Sequence, residues 1–277
     1  MATGAPTAQR QAVPVRHRPN IEEMTPRQVE DLRDALEVMQ NTTDDRGYGR
    51  HAGIHGLPSP MECAVAHGQP SFLPWHRAYL VRFEQALRDT GHDVMLPWWD
   101  WTRTPAIPTA YAEATRRDGR PNPLNSAPVL PTAMAEGSNS TREDVRRLTA
   151  QPRTVRQPGR SGSRLPTATE IARTLEYTDY EQFNENLDDF HGMVHGWVGG
   201  HMGFIPFAAF DPIFWAHHCM VDRVWRIWQG KHPQASFPER LRGKTMTPFN
   251  LKAGEVLEPT TLGYDYAISI GQVRPSE

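Results

Sequence analysis

Nine of the twelve histidines in this 277-residue chain fall into two clusters. The first cluster contains His51, His55, His67 and His76, and the second contains His191, His195, His201, His217 and His218. Neutral imidazole is the commonest metal ligand among side chains. His191 and His195 are four residues apart, so on a helix both rings lie on one face and can reach one ion. The pattern indicates a metal site, and the alternative is a set of hydrogen-bonded core histidines.

The residues beside the second cluster argue against two common metal sites. The zinc peptidase motif has glutamate directly after its first histidine, where this chain has Gly192. Di-iron bundles use two Glu-x-x-His motifs, and the only near match here is Asp188-x-x-His191. A metal that is bound by imidazoles alone fits zinc or copper.

The first cluster can supply a second group of three imidazoles. His67 and His76 are nine residues apart, and either His51 or His55 would complete the group. Two all-imidazole groups in one domain predict two metals that face each other. Because neutral ligands leave the ionic charge uncompensated, we expect an anionic bridge, which dioxygen bound to copper as peroxide would provide.

Helical segments must position these rings. Apolar residues recur at helical spacing after Thr25-Pro26 to about Gln40, from about Pro74 to Arg88, and from Tyr180 to Val198. Asp211-Pro212 combines a capping side chain with proline at the first helical position, and the apolar run that follows predicts a buried helix to about Lys231. The segment 261–270 is predicted to add a short strand. The fold is therefore expected to be mainly α, with long irregular loops.

Composition limits the classes of partner. The net charge of −2 argues against nucleic acid as the main partner, and the chain has no apolar run that would span a membrane. Residues 1–24 have no apolar segment after their arginines, so we interpret them as a flexible arm without a secretory signal. The expected location is cytoplasmic, unless a partner protein exports the chain. We predict that residues 25–277 form a single domain.

The stretch 103–166 differs from the rest of the chain. It is rich in proline and contains eleven arginines, no lysine and five acidic residues. One interpretation is a solvated, partly disordered loop whose charges contact only water. The other is that it borders the metal site, in which case its arginines would favour substrates that carry a carboxylate.

Three motifs together resemble the family of tyrosinases, catechol oxidases and haemocyanins, which are type-3 copper proteins. They are HGQPSFLPWHRAYLVRFEQAL at 67–87, HGMVHGWVGGHMG at 191–203 and DPIFWAHHCMVDRVW at 211–225. The order of the motifs is that of the family, the match covers roughly residues 45–230, and the layout is similar to that of bacterial tyrosinases. The resemblance implies a four-helix bundle around a dinuclear copper centre.

The resemblance also implies a ligand set. His55, His67 and His76 would bind the first copper, and His191, His195 and His218 would bind the second. His217 becomes a buried neighbour, because the family ligand is the later histidine of the pair. His55 is preferred because Gly-Leu-Pro follows it as in the family, and His51 is the alternative because its spacing matches some bacterial members. His201 is interpreted as a neighbour of the site or a surface residue.

Further residues are expected close to the ligands. Phe72 is predicted to pack against the copper site, and Arg77 and Asp222 to form a buried pair that orients the ligand helices. Cys63 is expected to be a small packed thiol; a thioether link to His67 is the alternative, since some family members have such a link from another cysteine position.

The position after His191 bears on the reaction. Tyrosinases that hydroxylate monophenols often have asparagine there and an upstream glutamate, which together hold a water that accepts the phenol proton. This chain has Gly192, and its upstream acids are Glu185, Asp188 and Asp189. The resemblance therefore implies oxidation of o-diphenols or o-aminophenols by O₂, with a small phenolic substrate and a separate copper-delivery or secretion protein as partners. A true tyrosinase is the first alternative, and a haemocyanin-like oxygen carrier is the alternative from another class.

Overall fold

The computed structural model describes residues 14–58, 63 and 66–266. Within these ranges the chain forms eleven α-helices and two small two-stranded sheets, together with short 3-10 turns. The helices are α1 (Pro26–Asn41), α2 (Tyr48–His55), α3 (Phe72–Arg88), α4 (Thr109–Ala112), α5 (Pro131–Ser138), α6 (Glu143–Thr149), α7 (Ala168–Thr174), α8 (Tyr180–Val198), α9 (Ile205–Ala208), α10 (Ile213–Lys231) and α11 (Glu239–Arg242). The strands are β1 (Arg16–Arg18), β2 (Thr245–Met246), β3 (Leu251–Lys252) and β4 (Tyr264–Tyr266). The mainly α fold is thus confirmed.

The long helices begin and end close to where the periodicity predicts. Thr25 caps α1 through its side chain, which accepts a hydrogen bond from the Gln28 backbone, while the Gln28 side chain accepts one from the Thr25 backbone. This reciprocal arrangement satisfies two amides that have no partner inside the helix. At α10 the details differ from the prediction, because Pro212 is the capping residue. Asp211 still accepts a hydrogen bond from the amide of Ile213 at 3.1 Å.

Helices α3, α8 and α10 pack against one another and carry the aromatic core between them. The rings of Phe83 and Trp215 stack with their centroids 3.5 Å apart, and both side chains are buried. Helix α2 is attached to α3 through the hydroxyl of Tyr79, which donates to the backbone carbonyl of His51 at 2.6 Å. None of the helices in the described ranges is both long and apolar enough to cross a bilayer.

The prediction of a flexible arm over residues 1–24 is wrong for the part that the structure describes. Strand β1 pairs in parallel with β4, at the other end of the chain. Arg18 is fully buried, and its guanidinium donates to Glu84 of α3 at 3.0 Å. A buried arginine is stable only with partners of opposite charge, and these partners hold the segment in place. Residues 1–13 lie outside the described residues.

Asp222 of α10 is the centre of this buried charge network. It accepts a hydrogen bond from Arg77 at 2.6 Å and one from Arg18 at 3.2 Å. The hydroxyls of Tyr264 and Tyr266 donate to the same carboxylate at 2.7 and 2.6 Å. Burial alone raises the pKa of Asp222, but the two guanidinium groups hold it below its usual value. The predicted Arg77–Asp222 pair is therefore part of a larger cluster, which fixes α3 and α10 relative to β1 and β4.

We expect Asp222→Asn to reduce the free energy of unfolding by about 3–5 kcal/mol, because it leaves Arg77 and Arg18 buried without a shared counter-ion. Denaturant unfolding of the metal-free protein measures the loss. Asp265→Asn is the matched control, since Asp265 pairs with Arg226 at 2.9 Å in a more exposed position, where a pair contributes about 1 kcal/mol or less. Equal losses in the two variants would contradict the central role of Asp222.

The stretch 103–166 is not the solvated loop of the first interpretation. It contains α4, α5 and α6, and it buries apolar side chains such as Leu124 and Leu148. Arg116 is buried against acidic residues of α1, and Arg156 forms a two-point ion pair with Asp211 at 2.6–2.9 Å. Arginines that look solvated in the sequence thus join the stretch to the helices, and they allow a polar segment to pack.

Candidate metal centre

The first predicted group of histidines lies at the junction of α2 and α3. His55 ends α2, His67 lies in the turn before α3, and His76 lies within α3. The Nε2 atoms of His55 and His67 are 3.4 Å apart. The ring centroid of His76 lies 5.7 Å from that of His55 and 5.1 Å from that of His67. The structure therefore brings the rings of all three residues together.

The second predicted group joins α8 to α10. The ring centroid of His191 lies 4.5 Å from that of His195 and 4.9 Å from that of His218. The Nε2 atoms of His195 and His218 are 3.3 Å apart. Because His191 and His195 are one turn apart on α8, both rings face α10, as their spacing predicts.

The two groups face each other across the bundle. The rings of His76 and His218 are nearly parallel, with centroids 4.4 Å apart, and His67 lies 5.3 Å from His191. Each of these pairs takes one ring from each group. Metals bound by the two groups would be neighbours, as in two-metal sites that act on one substrate.

Backbone carbonyls orient most of the rings. The Nδ1 atoms of His55, His76 and His195 lie 2.8–3.1 Å from the carbonyl oxygens of Ile205, Phe72 and Met202. A hydrogen bond from Nδ1–H fixes the tautomer in which Nε2 carries the lone pair, as in metal-ligating histidines.

The ring nitrogens that form no hydrogen bond are suited to bind a metal ion. The Nε2 atoms of His76 and His191 are buried without a hydrogen-bond partner in the described structure, and an unsatisfied buried acceptor costs about 1–3 kcal/mol. Burial lowers the pKa of the core rings, so they are neutral near pH 7 and their lone pairs are free; these residues are His55, His76, His191 and His218. An all-imidazole donor set of this kind suits copper.

His217 lies closer to the second group than a plain neighbour would. It is fully buried, and its ring stacks on that of His191 at 5.3 Å and 7°. One of its nitrogens lies within 4.8 Å of those of His191, His195 and His218, and neither nitrogen has a hydrogen-bond partner among the described residues. His76 is also a predicted ligand, but it differs from His217 in its distances. The described residues form three groups of ligand atoms that lie within 4.8 Å of one another, and His76 belongs to none of them.

Two further histidines of the clusters lie elsewhere. His51 is buried against Phe83, with ring centroids 5.9 Å apart, and belongs to none of these three groups of ligand atoms in the described ranges. His201 is fully buried, so the surface interpretation is wrong, and its Nδ1 accepts a hydrogen bond from the amide of Val155 at 3.0 Å. It holds the stretch 103–166 against the end of α8.

Asp188 is the one predicted acid that contacts the histidines. Its carboxylate lies 3.1 Å from Nδ1 of His191 and 3.7 Å from Nδ1 of His67, so it joins the two groups. Burial opposes ionisation, but the hydrogen bonds with these histidines hold the pKa of Asp188 well below its usual value. Glu185 and Asp189 are exposed on α8.

Two buried aromatic rings pack against the histidines. Phe72 lies 4.6 Å from His76 and 4.8 Å from His191 between ring centroids, which is where the sequence predicts it. Phe214 is not among the residues predicted from the sequence, although its ring centroid lies 4.1 Å from that of His218. Its position four residues before His218 is the signal that could have identified it.

Cys63 is buried, and its thiol donates to the backbone carbonyl of His55. Its sulfur lies within 4.8 Å of one ring nitrogen of His55 and one of His67. Burial raises the pKa of this thiol to about 12, so it stays protonated at neutral pH. These contacts describe a packed thiol beside the first group.

Comparison with known proteins places this geometry in a family. Residues 45–231 match the family described as the common central domain of tyrosinase. Grixazone synthase of Streptomyces griseus is 31% identical over 247 residues, which are 72% of this chain and 78% of that protein. A-type haemocyanin (units Ode to Odg) of Enteroctopus dofleini is 33% identical over 238 residues, or 82% of this chain. The chain spans only 19% of the length of that haemocyanin.

A solved structure supports the same fold. The structure of latent and active mushroom tyrosinase superimposes with a TM-score of 0.74 at 22% identity, and the match covers 92% of this chain and 90% of that one. The family match, the bacterial relative and the two facing groups of imidazoles agree with one another. The chain belongs to the tyrosinase family, whose central domain implies a dinuclear copper centre that these histidines fit.

Proposed function

We propose that the protein oxidises o-diphenols or o-aminophenols to o-quinones or quinone imines, with O₂ as the electron acceptor. Two molecules of diphenol would reduce one O₂ to two molecules of water, and two bound copper ions would supply this electron transfer. The side chains of the protein would bind the metals and leave space for the aromatic ring of the substrate. His55, His67 and His76 would bind one copper, and His191, His195 and His218 the other.

The observation that carries the proposal is that one edge of the site is open. His67 and His195 are partly exposed, and Gly192 is exposed: apart from its own turn of α8, no atom of the described residues lies within 4 Å of the position where a Cβ would lie. A planar ring can therefore approach from this edge, while Phe72 and Phe214 are fully buried against the ligand rings. Asp188 orients His191 through its ring nitrogen, so its part is to position a ligand.

Oxidation of diphenols is favoured over hydroxylation of monophenols because Gly192 offers no side chain to hold a proton-accepting water. The alternative activity is that of a true tyrosinase. An oxygen carrier is the second candidate, and the haemocyanin relative supports it. The match to grixazone synthase, which extends over most of that protein, favours an enzyme. Copper delivery by a partner protein and a cytoplasmic location, or export with that partner, remain parts of the proposal.

Oxygen uptake by the copper-loaded protein distinguishes these functions. We expect sustained O₂ consumption with catechol and with o-aminophenol, and slow or delayed consumption with phenol. Reversible O₂ binding without turnover of any ring would favour the carrier. Hydroxylation of tyramine as fast as oxidation of dopamine would favour a true tyrosinase.

A further inference from the structure

A cavity of about 740 Å³ lies between the stretch 103–166 and the end of α8. One part of its lining comes from the stretch and includes Arg142, Arg147 and Arg160. Another part is the backbone of Gly196, in the last turn of α8, and of Gly203, which lies just after the helix. The cavity is large enough to hold a small aromatic molecule.

This cavity adjoins the copper ligands through the chain. Gly196 directly follows His195, and Gly203 directly follows Met202, whose carbonyl accepts the hydrogen bond from the ring of His195 at 2.8 Å. The same backbone that orients His195 therefore forms part of the cavity wall. His195 and Gly196 are both partly exposed, so the open edge of the copper site and the cavity wall share this turn of α8.

The stretch is fixed at this position by hydrogen bonds on both sides of Arg160. The hydroxyl of Ser161 donates to the carbonyl of Gly196 at 2.7 Å, and the amide of Gly159 donates to the carbonyl of Trp197 at 2.8 Å. Arg160 thus lies on a backbone that is attached directly to the ligand helix. Its side chain is exposed and lines the cavity.

Arg160 differs from the other two arginines in its partners. Arg142 pairs with Asp144 at 2.7 Å, and Arg147 pairs with Glu143. Arg160 forms no ion pair with any of the described residues. Three arginines and one carboxylate, that of Asp144, line the cavity, which gives it a positive charge. A guanidinium group without a partner can bind a carboxylate through two parallel hydrogen bonds.

We propose that this cavity receives the carboxylate of an acidic substrate and that Arg160 is the residue that selects it. The inference rests on the proposed function and narrows its substrate class to o-diphenols or o-aminophenols that carry a carboxylate on the ring. The reactive oxygen would then face the histidines while the carboxylate contacts Arg160. Neutral rings of the same shape would bind more weakly, because they leave the guanidinium without a partner.

Equilibrium binding tests this without turnover. Isothermal titration of the copper-loaded protein, reduced to the Cu(I) state and kept without O₂ so that neither ring is oxidised, compares 3,4-dihydroxybenzoate with its neutral analogue 3,4-dihydroxybenzamide. We expect the acid to bind about tenfold more tightly, a difference typical of one charge-assisted contact. In Arg160→Gln the preference should fall to about twofold or less, and high salt should reduce it in the wild-type protein.

Arg117→Gln is the matched control, because Arg117 is also an exposed arginine of the stretch without an ion pair among the described residues, and it lies beside α1. This variant should keep the full preference. Equal affinities for the acid and the amide in the wild-type protein, or an unchanged preference in Arg160→Gln, would overturn the proposal. If the acid binds more tightly but neither ring is oxidised in the presence of O₂, the carboxylate site is supported and the proposed function is refuted. If both rings are oxidised but bind equally well, the proposed function is supported and the carboxylate site is refuted.

Discussion

His218→Ala is expected to lower the copper content from two ions per chain to about one and to abolish diphenol oxidation. The reason is that His218 contributes to the second group and also stacks on His76 of the first, at 4.4 Å between ring centroids. A single remaining copper cannot take two electrons from the ring in one step. Elemental analysis of the dialysed, copper-loaded variant, together with oxygen uptake on catechol, measures both effects.

His217→Ala is the matched control, since it removes the adjacent ring of the same buried helix. We expect it to keep both coppers and to lose only stability, because the stacking on His191 is lost. The position of a His217 nitrogen among those of the second group makes this control decisive. Retention of two coppers in His218→Ala together with loss of one in His217→Ala would show that His217 is the ligand.

The choice between His51 and His55 is tested in the same way. His55 points its Nε2 towards that of His67 at 3.4 Å, whereas His51 packs against Phe83. His55→Ala should therefore lose a copper, and His51→Ala should keep both. The reverse result would move the first ligand one helical turn earlier in α2.

Gly192→Asn is expected to raise monophenol hydroxylation by about tenfold or more, a fraction of the roughly 10²–10⁴-fold that a positioned base supplies. The new amide has room, because no atom of the described residues outside this turn of α8 lies within 4 Å of the Cβ position of Gly192. Asp188 is four residues earlier, so its carboxylate lies on the same face of α8. The two side chains could hold a water that accepts the phenol proton. Initial rates with tyramine and dopamine measure the ratio.

Two variants separate this effect from a general change in the helix. Gly192→Ala adds a side chain that cannot hold water, and it should leave the ratio unchanged. Asp188→Asn in the Gly192→Asn background should remove most of the gain, since the ionised partner is lost. A wild-type protein that already hydroxylates tyramine as fast as it oxidises dopamine would contradict the role assigned to Gly192.

The long helices and the ligand positions could be predicted because their signals are local. Periodic apolar residues define α3, α8 and α10, and the capping residues at Thr25 define the start of α1. The four-residue spacing of His191 and His195 places both rings on one face. Spacing alone did not choose between His51 and His55, since both lie on α2 one turn apart.

Features that depend on distant parts of the chain could not be predicted in this way. The polar segment around Arg18 looks like a free arm, but it is held in place because it pairs with β4 almost 250 residues later, and Arg18 itself is buried. The carbonyls of Ile205 and Met202 orient His55 and His195. Every residue has a backbone carbonyl, so the sequence does not indicate which carbonyl will contact a given ring. In the stretch 103–166, ion pairs such as Arg156–Asp211 stabilise the contact with the rest of the protein, in addition to the few buried apolar side chains.

The most direct test of the central claim is the metal content and the oxygen stoichiometry of one wild-type sample. We expect two tightly bound coppers per chain after dialysis, and consumption of one O₂ for every two molecules of catechol oxidised. Removal of the copper by a chelator should abolish the reaction, and its return should restore it. One copper per chain, or catechol oxidation that persists without copper, would contradict the account.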